Sequence, residues 1–322
     1  MAAPTKSQLL GDPQSNQSTP SISRATTPLN NSSRPTHDSS GHLLPAILCL
    51  HGGGSNATVF KIQSRRLIWN LQGQFRFVFA QASIEGTPGF GMLPVFASCA
   101  PFYRWVERRF KMGESEVEET PEDEIRGLDE NLVRVMEENG GVKSFVGVMG
   151  FSQGARLVPG LLLRQRIEER DKLGGSIYKF KFGIMIGGPY PPIAVHSRVK
   201  VEDYELLKTV PTVHAWGRDD HVIEGCKRLR EACDGDECFQ MAFEGGHHMP
   251  LKDDEARDLC DLIMAAWYAG GGKFGVGSGL HLSKPPCGRA KHYQHIVDQV
   301  VLTKELGVGA ISERPTEPQE SP

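Results

Sequence analysis

The chain has no long apolar run. Nothing in its 322 residues approaches the length of a membrane span, and Met1 to Leu10 lack the apolar core of a secretory leader. No membrane partner and no export are therefore expected. Basic residues are in slight deficit, with 36 Lys and Arg against 39 Asp and Glu and a net charge of −3. That balance excludes the electrostatic footing of a nucleic-acid or polyanion binder. Cysteines at paired zinc spacing are missing. Cys226, Cys233 and Cys238 cluster at irregular gaps, and an odd total of seven without a leader predicts reduced thiols in the cytoplasm. No Gly-Lys-Ser/Thr follows the run His51-Gly52-Gly53-Gly54, which argues against a phosphate loop. A metal set drawn from His221, His247 and His248 lacks a helical His-x-x-x-His pair, so no metal and no cofactor are expected. The terminal Glu320-Ser321-Pro322 is neither a peroxisomal nor an endoplasmic-reticulum signal.

What is present falls into three parts. Residues 1–44 are rich in Ser, Thr, Pro, Asn and Gln and are expected to be disordered, because they hold too little apolar surface to offset ordering entropy. Residues 45–270 form the expected domain. Residues 271–322 are a glycine-rich, then Pro/Glu-rich tail, with one short helix expected over 291–306. Within the domain, short apolar runs alternate with helical patterns. Strands are expected at Ala46–Leu50, Phe75–Ala80, Phe145–Met149, Phe180–Ile186, Thr212–Trp216 and 238–243. Helices are expected over 56–72, 122–138, 155–163, 222–232 and 253–268. The alternation predicts an α/β fold with a mostly parallel sheet covered on both faces. Residues 85–105 read as irregular and aromatic, and Glu114 to Glu124 as a solvated acidic loop.

The stretch around which the chain is organised is Gly150-Phe151-Ser152-Gln153-Gly154, set between an apolar strand and a helix. A sharp strand-to-helix turn of this kind lifts a serine clear of the sheet, and its crowded backbone demands glycine on either side. A serine hydroxyl needs a base, and the base needs an orienting acid. Both follow in the required order on loops after strands. Gly217-Arg218-Asp219-Asp220 supplies the acid, as Asp219 or Asp220, and Gly245-Gly246-His247 supplies the base. The oxyanion donors are expected to be the Gln153 N–H and one from the loop after the first strand, Gly53 or Gly54. His51 is read as a packing residue. Phe90, Met92, Leu93, Phe102, Tyr103 and Trp105 are the candidate walls of an acyl pocket, against satellite core as the alternative.

Leu50-His51-Gly52, Gly150 to Gly154, Gly217 to Asp220 and Gly245 to His247 together resemble the FSH family of serine hydrolases. Pro101-Phe102-Tyr103-Arg104-Trp105 and Gly246 to Pro250 resemble a fungal branch of polyketide-releasing thioesterases. The resemblance covers roughly residues 45–268 and implies an α/β-hydrolase fold with little or no lid. It implies Ser152, Asp220 and His247 as the triad, although His221 stands where the family usually has proline after the acid. It also implies cleavage of an ester or thioester, with an acyl substrate presented by a polyketide synthase carrier protein. A general carboxylesterase, or a scaffold that only binds, are the alternatives.

Overall fold

Continuous apolar runs build the sheet. All five residues of β1, Ala46–Leu50, are buried, as a strand covered on both faces requires. In this computed structural model, residues 36–38, 41–107, 120–172, 174–197 and 199–272 are described. Most of the segment expected to be disordered, residues 108–119 with the first part of the expected acidic loop, and the tail from residue 273 with its expected helix lie outside the described residues, while Glu122 to Glu124, at the end of that loop, form the first turn of a helix.

The remaining strands are β2 (Arg76–Ala80), β3 (Ile84–Gly86), β4 (Phe102–Arg104), β5 (Phe145–Phe151), β6 (Phe182–Ile186), β7 (Thr212–Gly217) and β8 (Cys238–Phe243). Six of them form a sheet in the order β2-β1-β5-β6-β7-β8, parallel throughout. Leu48 of β1 sits between Val78 and Val148. The strand's side chains then divide between the faces. Ala46, Leu48 and Leu50 join Leu132, Met136, Leu157 and Leu161 in one core, while Ile47 and Cys49 join Phe60, Leu71, Leu259 and Trp267 in the other. The first core lies under α3 (Glu122–Glu138), α4 (Gln153–Arg170) and α5 (Ile223–Ala232). The second lies under α1 (Ala57–Gln63), α2 (Arg65–Leu71) and α6 (Asp253–Ala269). The chain is thus an α/β protein of three layers, as its alternating pattern predicts.

Two elements depart from the sequence reading. The helix expected over 56–72 is two helices meeting at Ser64, a buried residue with φ −84° and ψ 4°. The aromatic stretch holds β3 and β4, an antiparallel pair in which Glu85 faces Tyr103. Among the described residues no helix is long and apolar enough to cross a membrane.

Two buried histidines are expected to make the fold acid-sensitive. His214 on β7 is 2% exposed, and its Nε2 has no hydrogen-bond partner among the described residues. Burial, and then the charge of Arg230, push it down to about 3. Burial takes His51 down to about 4, only partly offset by the Gly52 carbonyl. In the unfolded chain both titrate near about 6.5. Below that pH the unfolded state binds protons that the folded state refuses, so stability is lost as pH falls from about 6.5 towards 4. Each histidine contributes up to about 1.4 kcal/mol per pH unit. Urea midpoints should fall over this range, and His214→Gln should lose part of the slope. Identical slopes for the two proteins would contradict this account.

Candidate active site

Ser152 lies at the C-terminal end of β5 with φ 53° and ψ −114°, a strained conformation for a residue with a Cβ. Its N–H donates to the Ile186 carbonyl at 3.0 Å, which anchors the turn to β6. The flanking glycines are obligatory for space. A Cβ on Gly150 would stand 2.2 Å from the Gly154 backbone, and one on Gly154 would stand 2.2 Å from the Leu50 carbonyl oxygen. Ser152 occupies the N-cap position of α4, yet its side chain makes no capping bond. Instead its hydroxyl lies 2.9 Å from His247 Nε2.

The base and acid loops are tied together by main chain. Arg218 N–H donates to the Phe243 carbonyl at 2.8 Å and Asp219 N–H to the Gly245 carbonyl at 2.9 Å. These bonds point the two adjacent aspartates in opposite directions. Asp219 is exposed, whereas Asp220 is 3% exposed and its Oδ2 accepts from His247 Nδ1 at 2.8 Å. The Asp220 Oδ1 accepts from the Val222 N–H at 3.0 Å, a local turn that leads into α5 without capping it. Burial alone would raise this carboxyl; the His247 bond and the Val222 N–H together hold it below its usual value. The His247 ring packs on Phe151 at 4.9 Å and against Gly187, whose φ of 60° and missing Cβ leave room for the imidazole. His248 turns away, to the Gly246 N–H and the Met249 carbonyl. Ser152, His247 and Asp220 are thus in one hydrogen-bonded line. Asp219, the alternative acid, is outside it.

The loop after β1 is held just as firmly. The Gly54 N–H donates to the Tyr103 carbonyl at 2.8 Å, and the Gly54 carbonyl accepts from the Gly89 N–H at 2.8 Å. A Cβ there would meet the Gly89 nitrogen at 2.3 Å. The Gly54 N–H is therefore spent on structure, and Gly53, packed against the Gln153 side chain, is the remaining candidate of the two for an oxyanion donor. His51 is fully buried, with Nδ1 donating to the Gly52 carbonyl and Nε2 accepting from the Ala82 N–H, a packing role.

The aromatic stretch needs correction. Trp105 is 3% exposed, and its Nε1 donates to the His51 carbonyl at 2.7 Å. Met92 and Phe102 are buried together with Val59 in a small core of their own. These three support the loop from beneath rather than offering a surface to an acyl chain. Tyr103 is half-buried, and its main chain is engaged with Gly54 and Ser55. Phe90 and Leu93 are exposed, and the Phe90 ring lies 5.6 Å from the His221 ring, which lies 5.1 Å from that of His247. Val95, part of the same stretch, is exposed as well.

Sequence reasoning also missed the side chain of Gln153. Its Oε1 accepts from the Trp105 N–H at 2.9 Å and its Nε2 donates to the Val106 carbonyl at 3.1 Å. It clips the strap over 102–106 to the residue directly after Ser152, whose N–H is the expected oxyanion donor. Gln153→Ala should lower kcat about 10- to 100-fold with little change in KM, less than the ~10²–10³ expected for outright loss of an oxyanion donor. Gln153→Met, which keeps bulk and loses both bonds, should fall with it. Full activity of the methionine variant would show that the bonds are dispensable.

A nucleophile with a base and a buried acid, beside two glycine-lined backbone turns, can carry out acyl transfer through a covalent intermediate. Residues 44–259 match the serine hydrolase (FSH1) family, and the chain belongs to that family. Esterase citA of Monascus ruber is 36% identical over 233 residues, 65% of this chain and 87% of that protein. Thioesterase FSL2 of Gibberella zeae is 32% identical over 240 residues, 70% of this chain and 93% of that protein. Among solved structures, acyl-protein thioesterase 2 of Zea mays aligns over 72% of this chain and 95% of its own at 16% identity, with a TM-score of 0.48. The chain is a serine hydrolase of the esterase and thioesterase kind.

Proposed function

We propose that this hydrolase releases a long, reduced acyl chain of polyketide type from the thioester arm of a carrier protein in the cytoplasm. The observation that carries the reading is the exposed Phe90, whose ring meets that of His221 beside His247, on a stretch that also exposes Leu93 and Val95. Phe90 is 83% exposed and Val95 74%, an expensive display of hydrocarbon for a loop with no ligand to cover it. Each methylene buried against it would contribute about 0.8 kcal/mol. The name of the related thioesterase FSL2 supports the thioester, and the motif resemblance supports the polyketide.

In this reading His247 Nε2 takes the Ser152 proton as Oγ attacks the acyl carbonyl. Asp220, kept ionised, stabilises the imidazolium through Nδ1. The N–H groups of Gln153 and Gly53 receive the oxyanion. Collapse breaks the carbon–sulfur bond, and the sulfur leaves as the thiol with the proton held on His247, a transfer that asks little of the acid because thiols ionise at about 8.5. Water, deprotonated by the same histidine, then frees the acid from the acyl-enzyme.

The test compares kcat/KM for acetyl and long-chain thioesters, each on a small thiol and on a carrier protein. Long chains on the carrier should be the best substrates, and Phe90→Ser should narrow the difference between chain lengths. Preference for acetyl with no gain from the carrier would leave a general short-chain carboxylesterase.

A further inference from the structure

Only one oxygen of Asp220 is turned to His247. The other, Oδ1, has the Nδ1 of His221 3.5 Å away. His221 is 60% exposed on its side chain, and its ring meets that of His247 edge to face. One ligand atom from each of Asp220, His221 and His247 lies within 4.8 Å of the other two. Two donors on one tetrahedral zinc ion, at bonds of about 2.0–2.2 Å, stand roughly 3.4 Å apart. His221 and Asp220 already have that spacing, and a small turn of the His247 ring brings in the third ligand.

We propose that Asp220, His221 and His247 form a binding site for a borderline divalent cation of the zinc type, and that its occupation switches the hydrolase off. Two imidazoles and a carboxylate suit zinc and exclude the hard cations calcium and magnesium, which want oxygen. The exposed His221 gives the ion a way in. The neighbouring groups do not compete. His248 is committed to its own loop, and Cys226 lies buried outside the cluster.

Inhibition follows from proton placement. Hydrolysis requires the single proton of neutral His247 on Nδ1, facing Asp220, with Nε2 bare towards Ser152. A cation bound at Nδ1 takes that nitrogen's lone pair, and the ring's proton moves through water to Nε2. A protonated Nε2 cannot accept from Ser152. Asp220 meanwhile exchanges its hydrogen bond for an ionic contact, so the ring stays beside it and removal of the ion restores the base.

The switch rests on the proposed triad, but binding of the ion does not, so the experiment has two arms. In the first, zinc chloride is titrated calorimetrically into the full-length Ser152→Ala protein with and without His221→Ala. In the second, ester hydrolysis is followed against zinc and then excess EDTA for the native protein and for His221→Ala, each relative to its own zinc-free rate. Binding should weaken at least about tenfold without His221, the inhibiting concentration should rise by the same factor, and EDTA should reverse the effect. Binding that ignores His221→Ala, or none below about 1 mM zinc, would overturn the site. Binding that needs His221 yet leaves hydrolysis untouched would overturn the switch. If no ester is hydrolysed at all, binding lost with His221 still upholds the site, and it is the proposed function that fails.

Discussion

Replacing Ser152 with alanine is expected to lower kcat/KM by about 10⁴-fold or more and to abolish labelling by a fluorophosphonate. The loss is large because, among the described residues, no second hydroxyl is hydrogen-bonded to the base. Among the described residues the Ser152 hydroxyl is the one bonded to His247 Nε2, at 2.9 Å, in a turn whose flanking glycines leave no room for a Cβ. The fold should hardly notice. Alanine keeps the Cβ and therefore the same strain at φ 53°. Glycine removes that strain, so Ser152→Gly should be the more stable of the two inactive proteins, by about 1 kcal/mol or more. Rates, labelling and urea midpoints of the three proteins decide the matter together. Turnover by the alanine variant at native rates would remove Ser152 from the reaction.

The second large effect separates two adjacent residues. Asp220→Asn is expected to cost about 10⁴-fold in kcat, whereas Asp219→Asn should cost little. An amide at position 220 presents N–H where His247 Nδ1 needs an acceptor, which drives the ring's proton onto Nε2 and away from its task. Asp219 is exposed and contributes its main-chain N–H to the Gly245 carbonyl, a bond that asparagine keeps. Measuring kcat for both variants, with circular dichroism to show that each is folded, tests the assignment. The reverse ranking would move the acid to Asp219.

These two cases also mark how far the sequence carries. Ser152 is legible because its constraints are local. A strand, two glycines and a helix within a few residues leave one place for the turn, and the structure has the turn there. The sheet is legible for a similar reason, since a strand buried on both faces must be apolar throughout, as β1 is. The choice between Asp219 and Asp220 is not local. It depends on which side of the chain meets the histidine loop, and that is set by bonds to Phe243 and Gly245. The choice between Gly53 and Gly54 turns on Tyr103, about fifty positions away, through a strand of three residues too short to show a period. Aromatic composition marked residues 88–105 as special but said nothing of direction. Trp105 and Phe102 point inwards and Phe90 outwards, which a count of rings cannot reveal.

The sheet order has a kinetic consequence. The strand bearing Ser152 lies beside β1, yet a whole α/β crossover separates them in the chain, and Ser152 meets His247 across 95 positions. Such contacts require large loops to close before they stabilise anything, so the search for them is slow. Neither the loop after β1 nor the turn after β5 has its partner until those closures are complete. On dilution from denaturant, helical signal should return ahead of esterase activity, and activity should appear with the final cooperative phase. A chain released before β8 has formed would hold a nucleophile without a base. Any protein caught part-way through synthesis would therefore be inert towards the esters around it.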